Sequence, residues 1–122
     1  MQQSTESRVE TGPYGTYLYR SGEGNAETIL FLHGSGPGVT AWSNWQFALP
    51  ALGDRYDCLA PDLVGFGRST HPEDPPEGMD AWMDAWVAQI TSLLDRLGVE
   101  RAHLVGNSMG GAVSLHLIHR HP

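Results

Sequence analysis

The sequence has 122 residues, of which 40% are hydrophobic, and its net charge of -7 comes from fourteen acidic and seven basic residues. This length and composition are typical of one ordinary globular domain with its own core. All seven basic residues are arginine and they form no cluster, so the sequence predicts neither a nucleic-acid-binding surface nor binding to an anionic membrane.

The N-terminal residues and the cysteine content indicate a cellular compartment. Residues 1–12 contain no apolar segment of signal-peptide length, and no run of about 18 apolar residues occurs in the sequence. Cys58 is the single cysteine, lies in an apolar stretch and cannot form an internal disulfide. We therefore expect a cytoplasmic protein without a membrane span.

The first third of the chain contains two predicted strands. Residues 1–8 are polar, and we expect them to be frayed. Alternation of aromatic and aliphatic positions over 14–20 predicts an early strand, and a glycine-rich turn follows at 21–26. The apolar run over 28–33 is typical of a central strand that is covered on both faces.

A loop with three glycines and a proline follows this strand at residues 33–38. Such a loop has an unusual backbone and can aim N–H groups at a ligand. Residues 41–52 are compatible with one helix that Pro50 bends or ends. We interpret its aromatic residues as core rather than as a stacking platform. They are Trp42, Trp45 and Phe47.

Strands and helices continue to alternate in the second half of the chain. A short strand is predicted at 56–61 and a loop at 62–76. From Asp80 apolar residues recur at helical spacing as far as Gly98. Another strand is predicted at 102–105 and a largely buried helix after it. The pattern predicts an α/β fold in one domain, with a mostly parallel sheet and helices on both faces.

The segment Gly106–Gly110 has the Gly-x-Ser-x-Gly spacing of a nucleophile elbow, a sharp turn between a strand and a helix. The serine of such a turn takes a strained backbone conformation, and small residues are needed two positions to either side. Ser108 is therefore the candidate nucleophile. The alternative is a plain glycine-rich turn without chemistry.

A serine nucleophile needs a base, an acidic group that orients the base, and N–H donors for the developing oxyanion. The sequence offers two donors, the backbone amides of Met109 and Ser35. In this fold class the acid and then the histidine follow the serine, but the last acidic residue is Glu100. We disfavour His33 as the base because it has no evident carboxylate partner, and we favour a histidine that shapes the loop.

Two histidines follow the candidate nucleophile on the last helix. His116 and His119 lie roughly 12 and 16 Å along the helix axis from Ser108, so neither can bend back to it. Their spacing would make half of a metal site, but no third ligand is in reach. We expect a solvent-facing pair and no metal.

Two longer motifs resemble the meta-cleavage-product hydrolases, which are carbon–carbon bond hydrolases of the α/β-hydrolase fold and include 2-hydroxymuconic semialdehyde hydrolases. They are HGSGPGVTAWSNW at 33–45 and GNSMGG at 106–111, and residues 61–67 and 120–122 also match family landmarks. The resemblance extends from about Tyr14 to the end of the chain. It implies the N-terminal half of such a fold, since the family's lid, triad aspartate and triad histidine lie downstream of the position that Pro122 matches.

The resemblance also implies a reaction and a set of site residues. The reaction is hydrolysis of a 2-hydroxy-6-oxo-dienoate, a small-molecule substrate of bacterial aromatic degradation, with water as co-substrate and no metal or organic cofactor. Ser108 is the implied nucleophile, and the amides of Ser35 and Met109 are the implied oxyanion hole. The implied substrate-binding residues are Gly34, Gly36, Asn44 and Asn107. Alternatively, Asn44 caps a helix and Asn107 supports the turn.

Other functions stay open at this point. A carboxylesterase would use the same elbow and loop, because both reactions pass through a tetrahedral oxyanion. A ligand-binding module that keeps the scaffold without catalysis is a further alternative. Dehalogenases and epoxide hydrolases are disfavoured because they carry aspartate where Ser108 stands. We expect the 122 residues alone to lack turnover and to be marginally stable, with the elbow strand uncovered, and the sequence leaves open whether the full-length protein is a homo-oligomer.

Overall fold

The computed structural model describes residues 3–122. Its strands are β1 (Thr5–Thr11), β2 (Tyr14–Ser21), β3 (Thr28–Leu32), β4 (Asp57–Pro61) and β5 (His103–Gly106). Its helices are α1 (Ala41–Trp45), α2 (Ala48–Leu52), α3 (Met79–Leu97) and α4 (Met109–Arg120). None of the helices formed by these described residues is long and apolar enough to cross a bilayer.

The five strands form one sheet in the order β1-β2-β4-β3-β5. Strand β3 pairs in parallel with both β4 and β5, whereas β2 pairs antiparallel with β1 and β4. Strand β3 is buried along its whole length. This confirms the prediction of an α/β fold with a central strand at 28–33.

Alternate residues of the central strands face two separate cores. Leu30 and Leu32 pack with α3 and α4 on one face of the sheet. Ile29 and Phe31 pack with α1 and α2 on the other. This alternation follows from the two-residue repeat of a strand, and it confirms that helices cover both faces.

The prediction that residues 1–8 are frayed is wrong for the described part of that segment. Strand β1 begins at Thr5 and pairs with β2 from Thr5↔Arg20 to Thr11↔Tyr14. Its polar composition reflects its position at the edge of the sheet, where most of its residues are exposed. Residues 1 and 2 lie outside the described residues.

Residues 41–52 form two short helices instead of one bent helix. A helix that continued through Pro50 would need a hydrogen bond from residue 50 to the carbonyl of Gln46, and proline has no N–H to donate. The break accordingly falls at residues 46–47, four residues before the proline. Helix α1 starts at a capping box in which Thr40 and Ser43 bond each other's backbone amides.

The sequence predicts the aromatic residues of this segment in the core, but only Trp45 packs against it, and Trp45 is partly buried. Trp45 packs against Phe31 with ring centroids 5.1 Å apart. Phe47 is 80% exposed and Trp42 is 40% exposed, so the expectation is wrong for these two. The break between α1 and α2 turns Phe47 away from the sheet.

Candidate active site

Ser108 occupies the turn between the end of β5 at Gly106 and the start of α4 at Met109. Its backbone angles are φ 54° and ψ -111°. Among residues 3–122 it is the one non-glycine residue with a positive φ. Such a conformation costs about 1–3 kcal/mol and persists only where the surroundings fix it.

The glycines beside Ser108 allow the turn to close. A Cβ on Gly110 would collide with the carbonyl oxygen of Leu32, and a Cβ on Gly106 would collide with the backbone of Gly110. Helix α4 therefore begins in backbone contact with the end of β3. A Cβ on Gly111 would instead make an ordinary contact, 3.7 Å from the nearest atom.

Backbone hydrogen bonds fix the turn to the sheet. The Asn107 amide donates to the Leu32 carbonyl at 3.0 Å, which extends the β3–β5 pairing by one residue. The Gly110 amide donates to the Asn107 carbonyl and the Gly111 amide to that of Ser108, both at 2.9 Å. The loop that follows β3 consequently starts beside Ser108.

Gly34 of this loop lies against the elbow. A Cβ added to Gly34 would be 3.1 Å from Asn107 Nδ2 and 3.3 Å from its carbonyl oxygen. Asn44 on α1 links the two segments, because its Oδ1 accepts the Gly34 amide at 2.9 Å and Asn107 Nδ2 at 3.2 Å. Gly36 follows with φ 141°, a backbone angle that favours glycine.

His33 is completely buried at the end of β3. Its Nδ1 is 2.7 Å from the Gly34 carbonyl, which can only accept, and its Nε2 is 2.9 Å from the Leu63 amide, which can only donate. The ring is therefore the neutral tautomer with the proton on Nδ1. Burial lowers the pKa of His33, and the Gly34 hydrogen bond and the charge of Asp62 oppose this shift.

Two amides near Ser108 are not used by the fold. The Met109 amide begins α4 and has no acceptor within the helix. Neither it nor the Ser35 amide donates a hydrogen bond to another group in the described part of the chain. Ser35 and Ser108 are both exposed, so a ligand can reach both.

The predicted site residues thus fall into one connected group. Contacts or chain adjacency join the elbow residues to the glycine-rich loop and to α1. The group consists of Gly34, Ser35, Gly36, Asn44, Asn107, Ser108 and Met109. His116 and His119 are exposed on the outer part of α4 and do not belong to it.

No base for Ser108 is found in the part of the chain that the structure describes. Its hydroxyl makes no hydrogen bond to a histidine there, and both ring nitrogens of His33 are already bonded. Among residues 3–122, no three His, Cys, Asp or Glu side chains lie close enough together to hold a metal ion.

The sequence alone gave no role to Asp62, but its side chain bonds the backbone of segments that position the site. Its side chain is fully buried. Oδ1 accepts the Ala41 amide at 2.8 Å, and Oδ2 accepts the Arg68 amide at 3.0 Å. It therefore fixes the start of α1, the helix that carries Asn44. The signal available in the sequence was the glycine that follows Asp62 at residue 67. A Cβ on Gly67 would collide with the Asp62 carboxylate.

Gln89 was also missed, because a single amide among the apolar residues of α3 gives little indication of its role. It is 1% exposed. Its Nε2 donates to Thr16 Oγ1 and the Asp62 carbonyl, and its Oε1 accepts the Val64 amide at 3.0 Å. Through these bonds α3 holds the loop whose Leu63 amide bonds His33.

Residues 27–122 match the model of the α/β hydrolase fold family. Among curated proteins, the chain is 46% identical over 107 residues to a 2-hydroxymuconate semialdehyde hydrolase from Pseudomonas sp., covering 88% of this chain and 36% of that protein. It is 43% identical over 114 residues to a 2-hydroxy-6-oxo-2,4-heptadienoate hydrolase from Pseudomonas putida, with coverages of 93% and 39%.

Solved structures are similar over nearly the whole chain. A serine hydrolase from the polyaromatic-hydrocarbon-degrading Cycloclasticus zankles superposes with a TM-score of 0.94 at 51% identity, covering 98% of this chain and 42% of that one. A 2-hydroxy-6-oxo-6-phenylhexa-2,4-dienoate hydrolase from Rhodococcus sp. gives 0.93 at 39% identity, with coverages of 97% and 42%. The chain spans about two fifths of the length of these relatives.

Proposed function

Because this chain belongs to the α/β hydrolase fold family, we propose that it carries the nucleophile and oxyanion hole of a serine hydrolase that cleaves a carbon–carbon bond in a meta-cleavage product. One observation carries the proposal: the strained, exposed Ser108 adjoins the Met109 amide and the loop that carries the Ser35 amide, and the fold leaves both amides without acceptors. The similar hydrolases described above indicate the substrate class, a 2-hydroxy-6-oxo-dienoate or 2-hydroxymuconic semialdehyde.

In the proposed reaction the keto or aldehyde oxygen accepts hydrogen bonds from the Ser35 and Met109 amides. The 2-hydroxy group of the substrate first loses its proton while C5 gains one, so that C2 becomes a ketone. Ser108 Oγ then adds to the carbonyl carbon as its proton passes to the general base, and the bond between this carbon and C5 breaks. The electron pair of that bond passes through the C3–C4 double bond to the C2 oxygen, which is protonated to give the 2-hydroxydienoate. Water hydrolyses the acyl group on Ser108 to the carboxylic acid. The two amides act mainly on the tetrahedral oxyanion, where charge develops.

We assign the general base, and the carboxylate that orients it, to residues that do not belong to the connected group of site residues around Ser108. His33 is unsuitable because its Nε2 lone pair already accepts the Leu63 amide. We propose that an aspartate and a histidine that follow the matched segment in a longer protein complete the triad, in the order usual for this fold.

The dienoate end of the substrate is assigned to Asn44 and Asn107. Asn44 Oδ1 is occupied by the Gly34 amide and Asn107 Nδ2, which leaves its own Nδ2 to donate to a substrate oxygen. Gly34 and Gly36 let the substrate approach the loop backbone closely. The chemistry uses no metal or organic cofactor, and we expect it to take place in the cytoplasm.

The test uses the protein expressed from its complete reading frame and 2-hydroxymuconic semialdehyde, whose conjugated chromophore disappears on cleavage. Ser108→Ala should lower kcat by about 10⁴-fold or more. Ser35→Ala is the matched control: it removes an exposed hydroxyl but keeps the backbone amide, so kcat should stay within about threefold. Undiminished turnover by Ser108→Ala would refute serine catalysis.

An ester substrate in the same experiment separates the second candidate function. Rapid hydrolysis of p-nitrophenyl acetate with no cleavage of the semialdehyde would indicate a carboxylesterase. Binding of the semialdehyde without turnover of either compound would indicate a ligand-binding module.

A further inference from the structure

We propose that His33 is a positioning residue, which holds the carbonyl of Gly34 so that the amide of Ser35 faces the oxyanion site. The inference rests on the proposed function, because it assigns a task to a residue that does not touch the substrate. The His33 side chain acts on the peptide unit that joins Gly34 to Ser35.

A trans peptide unit is planar, and its C=O and N–H point in opposite directions. No cis peptide occurs between residues 3 and 122. The carbonyl of the Gly34–Ser35 unit accepts the Nδ1 proton of buried His33 at 2.7 Å. The N–H of the same unit, which belongs to Ser35, therefore points away from the buried His33 ring, and both Ser35 and Ser108 are exposed.

The imidazole can act in this way because its own orientation is fixed. The Leu63 amide bonds Nε2 at 2.9 Å, so a ring flip would break two hydrogen bonds at once. The edge of Phe66 packs against the ring with centroids 5.0 Å apart. The ring is thus held by the loop after β4 while it holds the loop after β3.

Asn44 completes the restraint from the opposite end of Gly34. Its Oδ1 accepts the Gly34 amide at 2.9 Å, so both polar backbone groups of this glycine are bonded to side chains. A residue without Cβ would otherwise rotate freely. The oxyanion donor is consequently set before substrate binds, which is the condition under which such donors are most effective.

Two substitutions separate the two nitrogens of His33. In His33→Asn the side-chain NH₂ is attached to Cγ, as Nδ1 is, and can still donate to the Gly34 carbonyl. In His33→Gln the terminal atoms are attached to Cδ and reach the Nε2 position, so the bond to Leu63 is kept and the bond to Gly34 is lost. Each variant loses one buried hydrogen bond, which makes them a matched pair.

With 2-hydroxymuconic semialdehyde and the protein from its complete reading frame, His33→Gln should lower kcat about 100-fold with little change in KM, as for loss of one oxyanion donor. His33→Asn should keep kcat within about fivefold of the unchanged protein. Equal losses in the two variants, when their thermal unfolding shows both to be folded, would overturn the positioning role.

Two further readouts keep the outcomes distinct. Turnover that survives Ser108→Ala would refute the proposed function rather than the role of His33. Nitrogen-15 NMR of the unchanged protein tests the clamp without any variant: a protonated Nδ1 and unprotonated Nε2 on His33 support it, and the opposite tautomer overturns it.

Discussion

Ser108 has a backbone conformation that a serine adopts at a cost, and glycine adopts it more readily. We therefore predict that the free energy of unfolding of Ser108→Gly is about 1 kcal/mol higher than that of Ser108→Ala, although both variants lack the hydroxyl. Urea titration of the two variants measures the difference. The Ala variant is the matched control, since it also lacks the hydroxyl but keeps Cβ. If Ser108→Gly is the less stable of the two, the strain is not stored at this residue.

The buried imidazole predicts a pH dependence of stability. Burial lowers the pKa of His33 below its ordinary value of about 6.5. The unfolded chain therefore binds a proton at a pH where the folded chain does not. This contribution to stability is complete above about pH 6.5 and is lost as the pH falls toward the folded-state pKa, by up to about 1.4 kcal/mol per pH unit.

The measurement is urea unfolding from about pH 7.5 down to about pH 5.5. His33→Asn has no ionisable group at this position, so its stability should fall less steeply over the same range while all other groups titrate equally. Parallel curves for the two proteins would contradict a neutral, buried His33.

At this scale the sequence predicted the strained turn at Ser108, because the spacing of small residues around such a turn is local. It gave no access to the bonds of His33 and Asn44. Leu63 is thirty residues from His33, and Asn107 is sixty-three residues from Asn44. Only the fold brings these partners together, so the pattern of nearby residues does not contain them.

The contact between α4 and β3 makes a prediction for single elements. Gly110→Ala places a methyl group against the Leu32 carbonyl, whereas Gly111→Ala meets nothing closer than 3.7 Å. Gly110→Ala should lower the free energy of unfolding by at least about 2 kcal/mol. Gly111→Ala should leave it unchanged or raise it by up to about 1 kcal/mol, because alanine favours helix. Thermal unfolding compares them, and similar stabilities would mean that α4 does not start against β3.

Periodicity predicted the elements that have an apolar pattern of their own and failed on the polar strand β1 and on residues 41–52. The apolar repeat of α3 and the apolar run of β3 are internal to each segment, and both predictions are confirmed. Strand β1 was missed because it is polar, as its position at the edge of the sheet allows. What identifies it as a strand is its pairing with β2, which its own residues do not reveal. The helix at 41–52 was predicted too long. Pro50 cannot donate a hydrogen bond to the carbonyl of Gln46, so the helix breaks four residues before the proline.

Over the whole molecule, the fold and the resemblance to meta-cleavage-product hydrolases are confirmed by the family match and the named relatives. In the described residues, strand β5 forms one edge of the sheet and pairs with no further strand on its outer side. Two large apolar side chains on α4, Leu115 and Ile118, are 70% and 55% exposed. A groove of about 590 Å³ runs between α3, β5 and the end of α4, away from Ser108.

The 122 residues expressed alone should not cleave 2-hydroxymuconic semialdehyde faster than their own Ser108→Ala variant does. The reason is that the Ser108 hydroxyl has no histidine partner in the described part of the chain and that His33 is committed to Leu63 and Gly34. Single-turnover absorbance measurements at high protein concentration are sensitive enough. Measurable cleavage that Ser108→Ala abolishes would show that these residues contain a base.

The pairing of Leu32 with Gly106 also constrains the order of folding. The two residues are more than seventy positions apart, and closing a chain segment of that length carries an entropic cost before any contact repays it. A ribosome must release α4 before the elbow can meet the loop that follows β3. The strained turn at Ser108 therefore forms only after β3, β5 and the start of α4 have all left the ribosome, as a consequence of topology.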